Sequence, residues 1–198
     1  MFFNIQTKSA IINDKNSDIF NFWKMIQTKC DQFEKELEFV WLGQKWFQDY
    51  QQRTDDIGKA VFFYICNRTA RNGIYVNNRE KWLESYKPKP FRKSFTIWKE
   101  KMDNTYLQIH NNDYAIEMEN LNNHESKDRD KYFIFQDPIY PEKEKLYDTG
   151  RKEKKEIIEN DNDDKFTWED QMKLAKLNFK SPHHILQTNR NCKEIRIL

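Results

Sequence analysis

Glycine is scarce in this sequence of 198 residues. Only four are present, at positions 43, 58, 73 and 150, and no two of them form a G-x-G loop. Loops of that kind allow the backbone to approach the phosphates of a nucleotide closely. The chain therefore contains no glycine-rich cradle for a nucleotide.

Cysteine is also rare. Cys30, Cys66 and Cys192 are odd in number and far apart, which argues against a disulfide or zinc framework, so we interpret them as free thiols in a reducing compartment. The sequence also lacks an apolar run of membrane-spanning length and a signal-peptide pattern at its N-terminus. We therefore expect a cytoplasmic protein that has no membrane partner.

Metal-binding patterns are missing as well. The two neighbouring histidines, His183 and His184, have no cysteine or acid close to them in sequence. A histidine pair in that setting is more typical of a surface than of a metal site. We predict no metal site.

Aromatic and charged residues are abundant. Aromatic residues make up 15% of the chain and hydrophobic residues 37%, enough for one folded domain with a sizeable core. The net charge is only +2, but residues 68–101 contain ten Lys or Arg and three Glu, a local charge of +7 that leaves −5 for the remainder. A basic region in a nearly neutral protein indicates an anionic partner for one face.

Short apolar segments alternate along the chain with segments of helical periodicity. The predicted strands are 9–13, 105–113, 132–135 and 183–188, and the predicted helices are 16–27, 32–53 with a break near Gly43, 55–73, 94–102, 114–121 and 166–179. This alternation is typical of a doubly wound α/β domain, in which acids at the strand ends lie along one edge. We predict such a sheet, with helices on both faces.

The segment KYFIFQDPIY, residues 131–140, places an acid, a rigid turn and an aromatic ring at the end of a predicted strand. The carboxylate of Asp137 and the carbonyl of Pro138 are hydrogen-bond acceptors, and the ring of Tyr140 offers a stacking face. Together they could hold an exocyclic amine in the plane of an aromatic base. The alternative is a strand-ending turn with Tyr140 packed on the edge, and the tetrapeptide alone is a weak motif.

Asp14 directly follows the first predicted strand and precedes a predicted helix that Asn16 or Ser17 can cap. An acid at this position binds ribose hydroxyls in dinucleotide folds. The alternative is that Asp14 is a second capping residue. The sequence leaves both interpretations open.

Between residues 71 and 95 the helical periodicity fails. Pro88 and Pro90 favour an extended or looped backbone there. Aromatic rings alternate with seven cations, which are Arg71, Arg79, Lys81, Lys87, Lys89, Arg92 and Lys93. Cations for phosphates and rings for bases form a nucleic-acid surface, and the alternative is a solvated basic loop.

Several segments together resemble the Dam-like class of DNA N6-adenine methyltransferases. They are IINDKNSDIFNFWKMIQ, GKAVFFYICNRTARNGIY, IHNNDY and FIFQDPIY, followed by an F-T-x-E-x-Q-x-x-L-A helix at residues 166–175. Each motif is weak by itself, but their order and spacing match from residue 2 to about residue 191. The resemblance therefore covers nearly the whole chain.

The resemblance implies a Rossmann-like methyltransferase fold, double-stranded DNA as partner and a role in DNA methylation or restriction-modification. These enzymes transfer a methyl group from S-adenosylmethionine to the adenine amine after flipping the base out of the duplex. It implies that Asp14 binds the cofactor's ribose and that Asp113 lies near its adenine. Asp137, Pro138 and Tyr140 match the catalytic tetrapeptide, and residues 67–75 match the region leading into target recognition, which makes 68–101 the recognition insertion.

Two features depart from the family. Ile139 replaces the second proline of the usual tetrapeptide, so the turn is less rigid. The family's glycine-containing cofactor loop should precede Met1, and relatives continue beyond Leu198. We therefore expect 1–198 to be a single truncated methyltransferase-like domain, with impaired S-adenosylmethionine binding and weak or undetectable activity by itself. A separately encoded N-terminal fragment is then a candidate partner.

Three functions compete on this basis. The first is an adenine-specific DNA methyltransferase, which the retained Asp137, Pro138 and Tyr140 favour. The second is a relative that binds DNA without catalysis, which the missing cofactor loop favours. The third is a helical protein-interaction module.

Overall fold

The computed structural model describes residues 4, 6–38, 44–69, 92–123, 133–137 and 167–187. The chain divides into two compact units, Met1–Asn112 and Asp113–Leu198. In chain order the described elements are β1 (Ser9–Asn13), α1 (Ser17–Glu38), α2 (Gln44–Gln51), α3 (Asp56–Thr69), α4 (Arg92–Asp103), β2 (Tyr106–His110), α5 (Tyr114–Asn123), β3 (Phe133–Gln136), α6 (Trp168–Lys180) and β4 (His184–Gln187).

In the first unit, β1 and β2 form a parallel pair that runs in register from Ser9 opposite Tyr106 to Asn13 opposite His110. Leu107 and Ile109 are buried in the core, where the side chains of neighbouring β1 residues pack against them. The intervening residues of β2 are more exposed, as the two-residue period of a strand requires. One face of this strand pair is thereby fixed against the helices.

The core of the first unit is aromatic and joins three helices. Phe22 of α1 stacks on Tyr64 of α3 with ring centroids 5.7 Å apart. Phe95 of α4 forms T-shaped contacts with two rings, with centroid distances of 5.2 Å to Phe33 and 5.1 Å to Tyr64. Such pairs add to the hydrophobic burial of the rings. All four rings are buried.

The helices of the first unit differ from the predicted ones in their bounds. We predicted separate helices at 16–27 and 32–53, whereas α1 extends from Ser17 to Glu38 with a non-helical conformation at Lys29. The next helix, α2, begins at Gln44. The predicted interruption near Gly43 agrees with these bounds, although Gly43 itself lies outside the described residues. The first break therefore occurs within α1, at the kink.

The start of α4 corrects one prediction. We predicted a helix from residue 94 and an extended or looped backbone before it, but α4 already begins at Arg92, two residues earlier. The reason is that Phe95 and Met102, seven residues apart, are both buried on one face of the helix, so core packing favours helix in this segment. Pro90 does not oppose this, since proline is tolerated just before a helix.

In the second unit, β3 and β4 also form a parallel pair, from Phe133 opposite His184 to Gln136 opposite Gln187. The helix α6 begins with a capping box, in which the Thr167 hydroxyl accepts from the Asp170 N–H and the Asp170 carboxylate accepts from the Thr167 N–H. The sequence predicts a cap at Thr167, because Asp170 follows it by three residues, and this prediction is confirmed. Both strand pairs are parallel in a chain of mixed helices and strands, as an α/β fold requires, while a single doubly wound sheet stays a prediction.

Phe95→Ala is expected to destabilise the protein by about 3–5 kcal/mol, because it leaves a cavity where three helices meet. The Phe95 side chain is fully buried, whereas Ile97 on the same helix is 62% exposed. Ile97→Ala is the matched control and should change the stability by less than about 0.5 kcal/mol. Urea unfolding of the two variants measures both effects, and similar losses in both would contradict this description of the core.

Candidate functional site

Asp14 lies at the carboxyl end of β1, where its N–H donates to the carbonyl of His110 at 3.3 Å. Its carboxylate accepts a hydrogen bond from the N–H of Asn16 at 2.9 Å. Asn16 in turn caps α1, since its side-chain oxygen accepts from Asp18 and Ile19 at 2.9 and 3.2 Å. Asn16 is therefore the capping residue, and Asp14 holds the turn that precedes it.

The pKa of Asp14 is raised above its ordinary value by burial, and the hydrogen bond from Asn16 only partly opposes this effect. Within the described part of the chain, the second carboxylate oxygen accepts no hydrogen bond. A ligand that donates hydroxyl groups to it would stabilise the ionised form. The two hydroxyls of a ribose fit that requirement.

Asparagine side chains join the segments that follow β1 and β2. Asn13 and Asn112 exchange two hydrogen bonds, with the Asn13 amide donating to the Asn112 carbonyl at 3.0 Å and the Asn112 N–H donating to the Asn13 side chain at 2.9 Å. The Asn111 amide donates to the carbonyls of Asp14 and Lys15 at 2.8 and 2.9 Å. These bonds fix the backbone around Asp14. The sequence analysis missed them, although an asparagine directly after a strand is a recognisable signal.

Asp113 caps α5. Its carboxylate accepts from the N–H of Ala115 at 2.9 Å, and its carbonyl accepts from the N–H of Glu117 at 3.1 Å. The predicted strand end at Asp113 is wrong, because β2 ends at His110 and the two asparagines after it make the contacts described above. Asp113 thus has a structural role as the cap of α5, and the same carboxylate could also bind a ligand.

Tyr114 connects α5 to the start of α6. Its hydroxyl donates to the carbonyl of Asp170 at 3.1 Å and lies 3.3 Å from the Asp170 carboxylate. The pKa of Tyr114 is raised by burial first, and then by the negative charge and hydrogen bond of Asp170. The pKa of Asp170 is lowered, mainly by the N–H of Thr167. The capping box of α6 therefore also positions the tyrosine beside Asp113.

Asp137 directly follows β3 and is exposed. Its position at the carboxyl end of a parallel strand is the predicted one. The other two residues of the predicted catalytic set, Pro138 and Tyr140, lie outside the described residues. The geometry of the tetrapeptide is thus known only at its first member.

Two of the seven predicted DNA-binding cations lie among the described residues. Arg92 and Lys93 lie in the first turn of α4. The remaining five lie outside the described residues; they are Arg71, Arg79, Lys81, Lys87 and Lys89. Their role stays a prediction.

The two histidines occupy different environments. His184 is exposed in β4, but His183 is buried, and its Nε2 lies 3.1 Å from the carbonyl of Leu121. The expectation of a surface pair is therefore wrong for His183, because its ring packs near the end of α5. Across the described ranges, no group of three or more His, Cys, Asp or Glu could hold a metal ion.

The described helices are also informative about membranes. None of them is long and apolar enough to cross one. Neither Cys30 in α1 nor Cys66 in α3 is in a disulfide, and both are buried. Cys192 lies outside the described residues.

The comparison with protein families gives a match over residues 1–198, the full length of the chain. The matching family is described as the D12 class of N6 adenine-specific DNA methyltransferases. In a search of curated proteins, no protein matched the chain. The family match includes every segment on which the resemblance to Dam-like methyltransferases rests.

Asp14→Asn is expected to stabilise the ligand-free protein at neutral pH. Since the folded-state pKa of Asp14 lies above the unfolded value of 3.8, ionisation at neutral pH favours the unfolded chain. Below 3.8 the wild-type carboxyl is protonated in both states, so the advantage of the variant should vanish as the pH falls. Thermal unfolding across this pH range is the measurement.

The matched control is Asp49→Asn, which removes one charge from an exposed position on α2. It should not reproduce the pH-dependent gain, because no burial of the carboxylate is relieved. An equal gain in both variants would show that net charge, and not the environment of Asp14, determines the effect.

Proposed function

We propose that this chain, which belongs to the D12 class of N6 adenine-specific DNA methyltransferases, modifies adenine at the carboxyl ends of its parallel strands. The family is one of enzymes that use S-adenosylmethionine to methylate the N6 amine of adenine in DNA. The finer proposal concerns which residues of this chain bind the cofactor, the base and the duplex.

The observation that supports the proposal is the position of two acids. Asp14 follows β1 and Asp137 follows β3 without an intervening residue, and each of these strands is in a parallel pair. In open α/β sheets, ligands bind outside the carboxyl ends of the strands. This position at the end of a parallel strand supports a substrate-binding role for each acid.

Asp14 and Asp113 are the proposed cofactor-binding residues. The half-buried carboxylate of Asp14 can accept hydrogen bonds from two ribose hydroxyls, which would compensate the burial that raises its pKa. Asp113 can accept from the exocyclic amine of an adenine while it caps α5. When bound, S-adenosylmethionine supplies an electrophilic methyl group on a sulfonium.

Asp137, Pro138 and Tyr140 are the proposed catalytic residues. In this proposal, the Asp137 carboxylate and the Pro138 carbonyl each accept a hydrogen bond from the adenine amine. The nitrogen lone pair then faces the methyl carbon. Bound S-adenosylmethionine would supply the methyl group to this nitrogen, and Asp137 would accept the proton that the amine loses. Stacking of the flipped base on Tyr140 adds about 1–3 kcal/mol of binding.

This mechanism depends on the placement of the reacting groups, since no covalent bond forms between the enzyme and the adenine. Misplacement of a reacting group by about 1 Å can reduce the rate about 100-fold. Asp137 is exposed directly after β3, so a flipped base can reach it. Ile139 stands where the family usually has a second proline, but Asp137 and Pro138, which supply the two proposed acceptors, are retained.

The basic segment 68–101 is proposed to bind the duplex. Its charge of +7 is set within a chain of net charge +2, so the attraction to DNA is local. Phosphate contacts of this kind position a protein on DNA without selecting the sequence. The base sequence that surrounds the target adenine must be selected by other contacts.

Asp137→Asn tests the catalytic assignment. The variant keeps the shape of the side chain but loses its charge as a proton acceptor, so the rate of methyl transfer should fall by at least about 100-fold. The assay uses random-sequence duplex DNA, labelled S-adenosylmethionine and enzyme in excess, with N6-methyladenine as the product measured. Excess enzyme makes slow transfer measurable, as the expected weakness of this chain requires.

Asp49→Asn is the control, since it removes an exposed carboxylate on α2 outside the proposed site. Its rate should equal that of the wild type. DNA binding by a wild type that transfers no methyl group would instead support the non-catalytic relative, and an unchanged rate in Asp137→Asn would remove Asp137 from the mechanism.

Charge reversal of Arg79, Lys81, Lys87 and Lys89 to glutamate is expected to weaken DNA binding for all sequences. If about six cations contact phosphates, the logarithm of the affinity should fall with the logarithm of the salt concentration with a slope of roughly −5 for the wild type, at about −0.9 per contact. The slope should be smaller in the variant. Fluorescence anisotropy over a salt series measures both.

A second charge reversal serves as the matched control. Lys35, Lys45, Lys59 and Lys180 are exposed lysines outside the basic segment. Their reversal to glutamate makes the same change in net charge, so it should reduce the affinity less and leave the slope near the wild-type value. Equal effects in the two variants would show that only the overall charge matters.

A further inference from the structure

We propose that Asn178 is a positioning residue that fixes the end of β3 and thereby the direction in which Asp137 leaves the strand. This inference rests on the proposed catalytic function of Asp137. Asn178 lies near the C-terminus of α6, in a region to which the sequence analysis assigned only a helix. It makes no contact with the reacting groups in this proposal and acts through Gln136.

Gln136 and Asn178 exchange two hydrogen bonds. The Gln136 amide donates to the Asn178 side-chain oxygen at 2.9 Å, and the Asn178 amide donates back to the Gln136 side-chain oxygen at 2.7 Å. The Asn178 amide also donates to the side-chain oxygen of Gln187 at 2.8 Å. We call these three residues the amide cluster.

The amide cluster is placed at one point in the fold. Gln136 and Gln187 are the last residues of β3 and β4 and are paired across the two strands. Asn178 bonds to both of them from the helix. Two reciprocal bonds between planar amides fix both the position and the rotation of the Gln136 side chain, so the strand end is held more firmly than one bond would allow.

The strand needs such an anchor at this residue. β3 is four residues long, and Pro138, two residues after Gln136, has no N–H with which to continue the ladder. The ladder can therefore receive no backbone donor from position 138. The hydrogen bonds of the Gln136 side chain hold the strand at the last position before the acid.

The helix provides a fixed support for this anchor. The carbonyl of Asn178 accepts from the N–H of Ser181 at 3.1 Å, which closes the end of α6. Leu174, one helical turn earlier, is buried, so this part of the helix is packed. The Gln136 amide also lies 3.2 Å from the sulfur of Met118 on α5.

Amides are well suited to this position because each carries both a hydrogen-bond donor and an acceptor. A lysine at position 178 could only donate and an ionised carboxylate could only accept, so neither could exchange two hydrogen bonds with Gln136.

Asn178→Leu tests the proposal, since leucine has the same branched arrangement of side-chain heavy atoms and cannot form the hydrogen bonds. Single-turnover methyl transfer per folded molecule should fall about 10- to 100-fold, because the acid is displaced, while the affinities for DNA and S-adenosylmethionine should stay within about twofold. Hydrogen exchange at residues 133–137 should also become faster. This second measurement requires no activity.

Gln187→Leu is the matched control. It removes the third member of the amide cluster from the neighbouring strand but leaves the reciprocal pair intact, so transfer should stay within about threefold of the wild type. If the amide cluster served stability alone, both variants would lose thermal stability and retain the same rate per folded molecule. That result would overturn the proposal.

The double variant Gln136→Leu/Asn178→Leu tests whether the two residues act as one unit. Its transfer rate should be no lower than that of Asn178→Leu, since the pair is already broken. Losses that multiply would show independent roles. If the wild type transfers no methyl group, the proposed function fails; unchanged hydrogen exchange in Asn178→Leu would overturn the positioning role in either case.

Discussion

The carboxyl ends of the two parallel strand pairs are held by hydrogen bonds that amide side chains make, to backbone groups in the first unit and to each other in the second. Parallel strands cannot be joined by a tight hairpin, so their ends are fixed by whatever the distant connecting segments provide. In the first unit Asn13 and Asn111 provide these bonds. In the second unit Gln136 bonds to Asn178. In each unit one strand of the pair, β1 or β3, is followed directly by an acid, so these hydrogen bonds lie next to a carboxylate in the chain.

The two carboxylates have different environments, which agrees with their different proposed tasks. Asp14 is half-buried, and burial raises its pKa, so it is suited to a ligand whose hydroxyl groups replace lost water. Asp137 is exposed, as a residue must be if it receives a base flipped out of a duplex. A half-buried carboxylate needs a hydrogen bond within the protein before a ligand binds. For Asp14, the N–H of Asn16 donates this bond.

Much of the fold follows from the sequence because its signals are local. The strand at Ser9–Asn13 and the capping box at Thr167 were predicted from neighbouring residues alone, and both are confirmed. The start of α4 was missed because it depends on the burial of Phe95 by rings from α1 and α3, which no local pattern contains. The environment of His183 was missed for the same reason, since Leu121 is 62 positions away.

The candidate site shows the same division between local and distant information. The types and order of Asp14, Asp113 and Asp137 could be read from motifs, because a family match depends on residue identity. The amides that hold them could not, since the hydrogen bond between Gln136 and Asn178 joins residues 42 apart, and asparagine is common in this chain. Asparagine and glutamine become informative only when a strand end is known to need partners. The proposed chemistry can therefore be inferred from the acids, which a motif search finds. The neutral amides that bond to the strand ends are found only from the structure.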